Sequence, residues 1–111
     1  MSRKDWIWMP HPGHLCVSEK CLFSLNTYIN GYIVSTVGEY KPNEKSKKYE
    51  QIGWDRIYET MVFKAKKGET QCCPFTADIE GGEIDMKGYN CADTAMKGHY
   101  IMCEKYDLEE Q

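Results

Sequence analysis

The sequence predicts a small α+β domain: a mainly antiparallel sheet with a C-terminal helix packed on one face. Three observations carry this. Asn30-Gly31 lies between two β-favouring runs, residues 27–29 and 32–37, and a two-residue hairpin turn of this kind needs positive φ at both central positions. Other short runs rich in β-branched and aromatic residues are set apart by Gly, Pro and charged stretches. From Asn90 the apolar spacing changes, with Ala92, Ala95, Met96, His99, Cys103 and Tyr106 recurring every three or four residues, a helical stripe over about residues 91–106. At 111 residues one core is the ceiling, so residues 1–111 are read as a single domain.

Taken in order, Trp6-Ile7-Trp8-Met9 followed by Pro10 reads as a short edge strand ended by a residue without an N–H donor. Residues 11–16 read as a turn. The first arm of the hairpin is expected to be short, because little chain separates Cys21 from Asn30. Residues 41–51 are polar, with Lys41, Lys45, Lys47 and Lys48, and read as a solvated loop. A strand is expected over residues 58–64, where Thr60, Val62 and Phe63 outweigh a helical start capped by Asp55. Gly81-Gly82 makes a turn between extended segments 76–79 and 83–87. Asn90 is the expected N-cap of the helix, with Asp93 in its first turn. Gly98 costs that helix roughly 0.5–1 kcal/mol relative to alanine and points to close packing there.

Composition excludes several classes of function. No apolar run approaches the roughly 18–20 residues of a membrane helix, and 13% aromatic content is too high for a disordered tail. With 14 Lys+Arg against 17 Asp+Glu, no global positive field draws the chain onto nucleic acid. The apolar stretch near the start stops at Pro10, too short for a signal-peptide core, so a reducing cytoplasm is expected. There the six cysteines read as metal ligands, buried small hydrophobes or redox centres; secretion by another route would leave many disulfide pairings open.

The densest chemistry is His11, His14, Cys16 and Cys21, spaced His-x-x-His-x-Cys-x-x-x-x-Cys. Zinc takes borderline and soft ligands converging tetrahedrally, and these four side chains could close a structural site by themselves. The plainer reading is a polar loop with hydrogen-bonded histidines. His99 and Cys103, four apart on the expected helix, share a face and could complete a mixed site with Cys16 and Cys21; core packing is the plainer reading for that pair. Cys72 and Cys73 are adjacent, so only one of them, taken as Cys72, joins a given cluster. Cys91 reads as a packing residue near the helix start.

A cysteine nucleophile with a histidine base is the rival chemistry, but no strand-turn-helix signature surrounds any of these cysteines. Glu39, Arg56, Tyr58 and Glu59 outline a polar cleft that could take a nucleotide or other small molecule, in a binding domain or a small enzyme, against the commoner reading of cross-strand pairing at a sheet edge. Gly81-Gly82 lacks the Lys and Ser/Thr of a phosphate-cradling loop. Trp6, Trp8 and Trp54 read as core or interface rings.

Met9-Pro10-His11 with Gly13-His14 and Cys16, the run from Asn26 to Tyr28, the run from Asn30 to Glu39, the run from Tyr58 to Ala65, and Cys72-Cys73-Pro74 together resemble a family of small proteins from bacteriophages and prophages. The resemblance spans most of the chain and brings no activity with it. The family carries a longer charged insert where this chain has residues 41–51, in keeping with a variable loop there. What the resemblance implies is a phage-encoded accessory protein, made in the cytoplasm of an infected bacterium and acting by binding a host or phage protein, host defence systems included. The oligomeric state stays open.

Overall fold

The computed structural model describes residues 6–9, 21–40, 57–67 and 75–108, with Cys21, Leu22 and Tyr40 described by backbone alone. Strands β1 (Ile7–Trp8), β2 (Cys21–Ile29), β3 (Tyr32–Tyr40), β4 (Tyr58–Lys67), β5 (Phe75–Ala77) and β6 (Asp85–Tyr89) precede helix α1 (Ala92–Asp107). The strands pair antiparallel in the order β1-β2-β3-β4-β5, with β6 also paired to β4. The architecture is the expected α+β one, a curled antiparallel sheet with the C-terminal helix on one face.

The hairpin turn has φ 51° at Asn30 and 86° at Gly31, as a type I′ turn requires. Its first arm is not short: pairing runs from Ile29↔Tyr32 out to Cys21↔Tyr40. The extension follows from Phe23 and Leu25, which lie opposite Gly38 and Thr36 and continue the face that the helix covers. β3 is the central strand, and its Ile33, Val34, Ser35, Thr36 and Val37 are all buried, so both of its faces are covered. That explains its unbroken run of β-branched and small hydroxyl residues, where a half-exposed strand would alternate.

The helix-facing side of the sheet packs Ile29, Val34 and Val62 with Trp6 of the N-terminal segment and with Met102, Cys103 and Tyr106 of α1. The opposite side gathers Met9, Ile33, Phe63 and Ala77, flanked by Tyr28 and Phe75. β2 and β5 are separated in the sheet by β3 and β4, yet the Tyr28 and Phe75 rings stack at 3.8 Å and 7°. Only a strong curl brings them together.

The expected turn at Gly81-Gly82 is present, with Gly82 at φ +76°. It does not pair its two flanking strands with each other. β5 covers Ala65 to Lys67 of β4 and β6 covers Tyr58 to Val62, so both lie along one edge. Asp78 N–H donates to the Lys64 carbonyl and Ile84 N–H to the Val62 carbonyl, both at 2.8 Å. The chain leaves that edge after Asp78 and rejoins it at Ile84.

α1 begins one residue later than its expected cap. Cys91, extended at φ −140° and ψ 156°, is the N-cap and makes no side-chain cap bond, while the Thr94 hydroxyl donates to the Cys91 carbonyl at 3.0 Å. Cys91 is exposed, not packed. The buried stripe is Ala95, Gly98, His99, Met102, Cys103 and Tyr106. Met96, expected on that stripe, is exposed: it sits at the stripe's margin, about 100° round the axis from Ala95 and one turn before Tyr100, on the stretch of helix that the sheet does not cover. The far end of α1 is clamped twice: Asn30 Nδ2 donates to the Tyr106 carbonyl at 3.2 Å, filling one of the acceptors a helix terminus leaves open. Asp85 of β6 accepts from Lys105 Nζ at 2.7 Å and Tyr106 Oη at 3.0 Å. The Lys105 hydrogen bond leads in holding the Asp85 carboxyl below its ordinary range.

Two glycines seat tyrosine rings. A Cβ on Gly38 would enter the Tyr58 ring, and one on Gly98 would meet the hydroxyl end of Tyr89. Both rings are buried, so neither can swing aside freely. Gly98→Ala is therefore expected to lower the unfolding free energy by roughly 1–3 kcal/mol, although helix propensity alone would raise it by about 0.5–1 kcal/mol. Urea denaturation checks this, and a stabilised variant would show that Tyr89 yields.

Candidate functional site

A polar chain runs through the helix–sheet interface. Thr27 projects from β2, Thr36 from β3 and Thr60 from β4 toward α1, where His99 lies fully buried. Thr27 Oγ1 is 2.8 Å from His99 Nε2, Thr36 Oγ1 is 2.6 Å from His99 Nδ1, and Thr36 Oγ1 is 2.6 Å from Thr60 Oγ1. A neutral imidazole donates at one nitrogen and accepts at the other, so two hydroxyls satisfy it completely. Burial pushes its pKa down to about 4. Tyr89 lies at the same interface, but its buried hydroxyl makes no hydrogen bond among the described residues, and burial raises its phenol pKa.

Trp8 lies over this buried histidine. The register Trp8↔Thr27 places the indole beside the threonine that binds His99, with ring centroids 5.5 Å apart. Trp8 also approaches Tyr100 at 5.7 Å, while Trp6, beneath, approaches both Trp8 and Tyr100. Trp6 is buried, whereas Trp8 is 45% and Tyr100 36% exposed. One helical turn before Tyr100, Met96 is also exposed, and Asp93, Met96, Lys97 and Tyr100 line a shallow hollow of about 300 Å³. The result is an aromatic surface whose lower layer is locked in the core and whose upper layer meets solvent. Scattered exposed apolar residues mean little, but a contiguous aromatic set on a rigid base is what binding hot spots use.

The opposite face of the sheet carries a second polar set. Ser35 Oγ donates to Asn26 Oδ1 at 2.6 Å, and Asn26 Nδ2 donates to Ser24 Oγ at 2.9 Å. Glu59 is only 7% exposed, and burial holds its carboxyl above the ordinary value, with the Glu83 charge adding to the shift. Tyr58 and Glu59 are neighbours on β4 and so project to opposite faces. Tyr58 Oη donates to Glu39 Oε2 at 2.8 Å, and Glu39 takes φ 57°, an uncommon backbone for a residue with a side chain. Glu39 and Tyr58 are thus brought together, Glu59 is not part of their cleft, and Arg56 lies outside the described residues.

Of the residues considered as metal ligands, His11, His14, Cys16 and Cys72 lie outside the described residues, as does the Cys21 side chain. His99 and Cys103 are buried on one helical face, but both His99 ring nitrogens face threonine hydroxyls. Among the described residues no three of His, Cys, Asp and Glu converge as metal ligands. The exposed Cys91 thiol has its pKa lowered, chiefly by the Thr94 hydroxyl 3.2 Å away. Among the described residues no helix is long and apolar enough to cross a membrane.

Sequence reasoning named Trp8 as a core or interface ring but passed over Tyr100. The signal was present: Met96 and Tyr100 are four apart and widen the apolar stripe on one side, where an amphipathic helix should turn polar. The threonine partners of His99 carried no comparable signal, since threonine is ordinary in strands. Comparison with known proteins finds no matching family model, no matching curated protein and no matching solved structure.

Proposed function

We propose that this chain is a phage-encoded accessory protein that acts by binding a host or phage macromolecule, with the Trp8–Met96–Tyr100 surface as its contact. The phage context rests on the sequence blocks described above, and it makes a component of a host defence system the first partner to test. The observation that carries the binding role is the half-exposed aromatic surface held on a buried Trp6–His99 base. Such rings present large area at little entropic cost, because packing beneath has already ordered them.

The test compares wild type with a Met96→Glu/Tyr100→Glu variant in affinity capture from infected and uninfected host cells. Met96 is exposed and Tyr100 largely so, but the Tyr100 ring also meets Trp6 and Trp8, so circular dichroism should stay native while melting falls by about 4–8 °C, an expectation for a loss of about 1 kcal/mol. A partner retained by wild type and lost from the folded variant supports the reading. Equal recovery by both chains, or no saturable partner for wild type, rejects it.

A further inference from the structure

β6 borders a groove against α1, which meets the hollow beside Met96 and Tyr100 at Lys97. The groove holds about 450 Å³, and its lining includes Lys87, Gly88, Asn90, Thr94, Lys97 and Ile101. It contains two lysines and no carboxylate, although the chain as a whole carries a net charge of −3. β6 pairs with β4 on one side, and no described strand pairs with its other side. An open strand edge presents backbone donors and acceptors in register for another extended chain. Gly88, without a side chain, lets such a chain approach closely.

We propose that the β6–α1 groove binds an acidic extended peptide segment of a partner protein, added as a strand along β6, with its carboxylates meeting Lys87 and Lys97. This rests on the reading of the chain as a binding protein and names the chemistry of a partner at a second surface. Charge selects the occupant. Two copies pairing through β6 about its centre would set Lys87 against Lys87, which opposes self-association, whereas an acidic strand is complementary. The apolar surface that Ile101 adds to the lining suits a side chain of an extended segment better than a free inorganic anion.

The experiment is a 15N–1H NMR titration of the full chain with three probes: the acetylated, amidated peptide Val-Glu-Val-Glu-Val, its Val-Lys-Val-Lys-Val counterpart, and inorganic pyrophosphate. The acidic peptide is expected to give saturable shifts at Lys87, Gly88, Asn90 and Lys97 and to slow hydrogen exchange of β6 amides. Lys87→Gln and Lys97→Gln, both at exposed positions, should each weaken it about fivefold. No saturable response to the acidic peptide, an equal response to the lysine peptide, or the same shifts from pyrophosphate without slowed exchange overturns the proposal. Lys97 borders both surfaces, so the responses at Lys87 and Gly88 of β6, on the edge of the sheet opposite β1, are the ones that separate this proposal from the Trp8–Tyr100 reading.

Discussion

His99→Ala is expected to lower the unfolding free energy by roughly 3–5 kcal/mol, the range for truncating a large buried ring. Three losses combine. The imidazole leaves a cavity beneath Trp8 and between α1 and the strands, because no neighbouring side chain in this rigid layer can follow it. Thr27 loses its hydrogen-bond partner at 2.8 Å and Thr36 one of its two at 2.6 Å, and hydroxyls left open inside a core carry a desolvation penalty. Trp8 loses the ring beneath it. Urea denaturation followed by tryptophan fluorescence gives the number, and a loss under about 1 kcal/mol would mean that the interface repacks or admits water. Replacement by glutamine, which restores a donor and an acceptor, should recover part of the loss.

The same residue makes stability depend on pH. In the unfolded chain the imidazole titrates near 6.5, and in the folded protein near 4. As pH falls below 6.5 the unfolded state takes up the proton first, so protonation favours unfolding. The contribution is full above pH 6.5, declines between pH 6.5 and about 4, and amounts to roughly 3 kcal/mol by the lower limit. Glu59 works in the opposite sense: its raised pKa means that the folded state binds its proton first, so acidification relieves the cost of its buried charge. The net fall should therefore be smaller than the His99 share, and His99→Gln should flatten the decline or reverse it. Imidazole NMR reads the origin directly, and a His99 midpoint above pH 6 would refute the assignment.

The hairpin was legible in the sequence because Asn30-Gly31 satisfies a local backbone requirement, and the helix because Ala95, His99, Cys103 and Tyr106 repeat at its period. Met96 was misplaced for a related reason: a three-or-four spacing admits residues at the margin of a stripe, and only the packed sheet shows where the margin falls. The arrangement of β5 and β6 along one edge was beyond a local reading, since a turn between two extended segments normally pairs them with each other. Of the candidate site, the presence of tryptophans near the start was legible, but their partner Tyr100 was not singled out.

By itself the sequence determined the elements: an α+β order, a type I′ turn between two strands and a helix with one apolar stripe. These depend on contacts between near neighbours and on backbone preferences that each residue carries with it. The tertiary structure alone decided what the polar residues mean. His99 lies 72 residues from Thr27 and 63 from Thr36 along the chain, and only the curl of the sheet and the seating of α1 make one hydrogen-bonded set of them. The same long-range packing buries Trp6, leaves Trp8 and Tyr100 half in water and opens the lysine-lined groove beside β6, because exposure belongs to a place in the fold and not to a residue type.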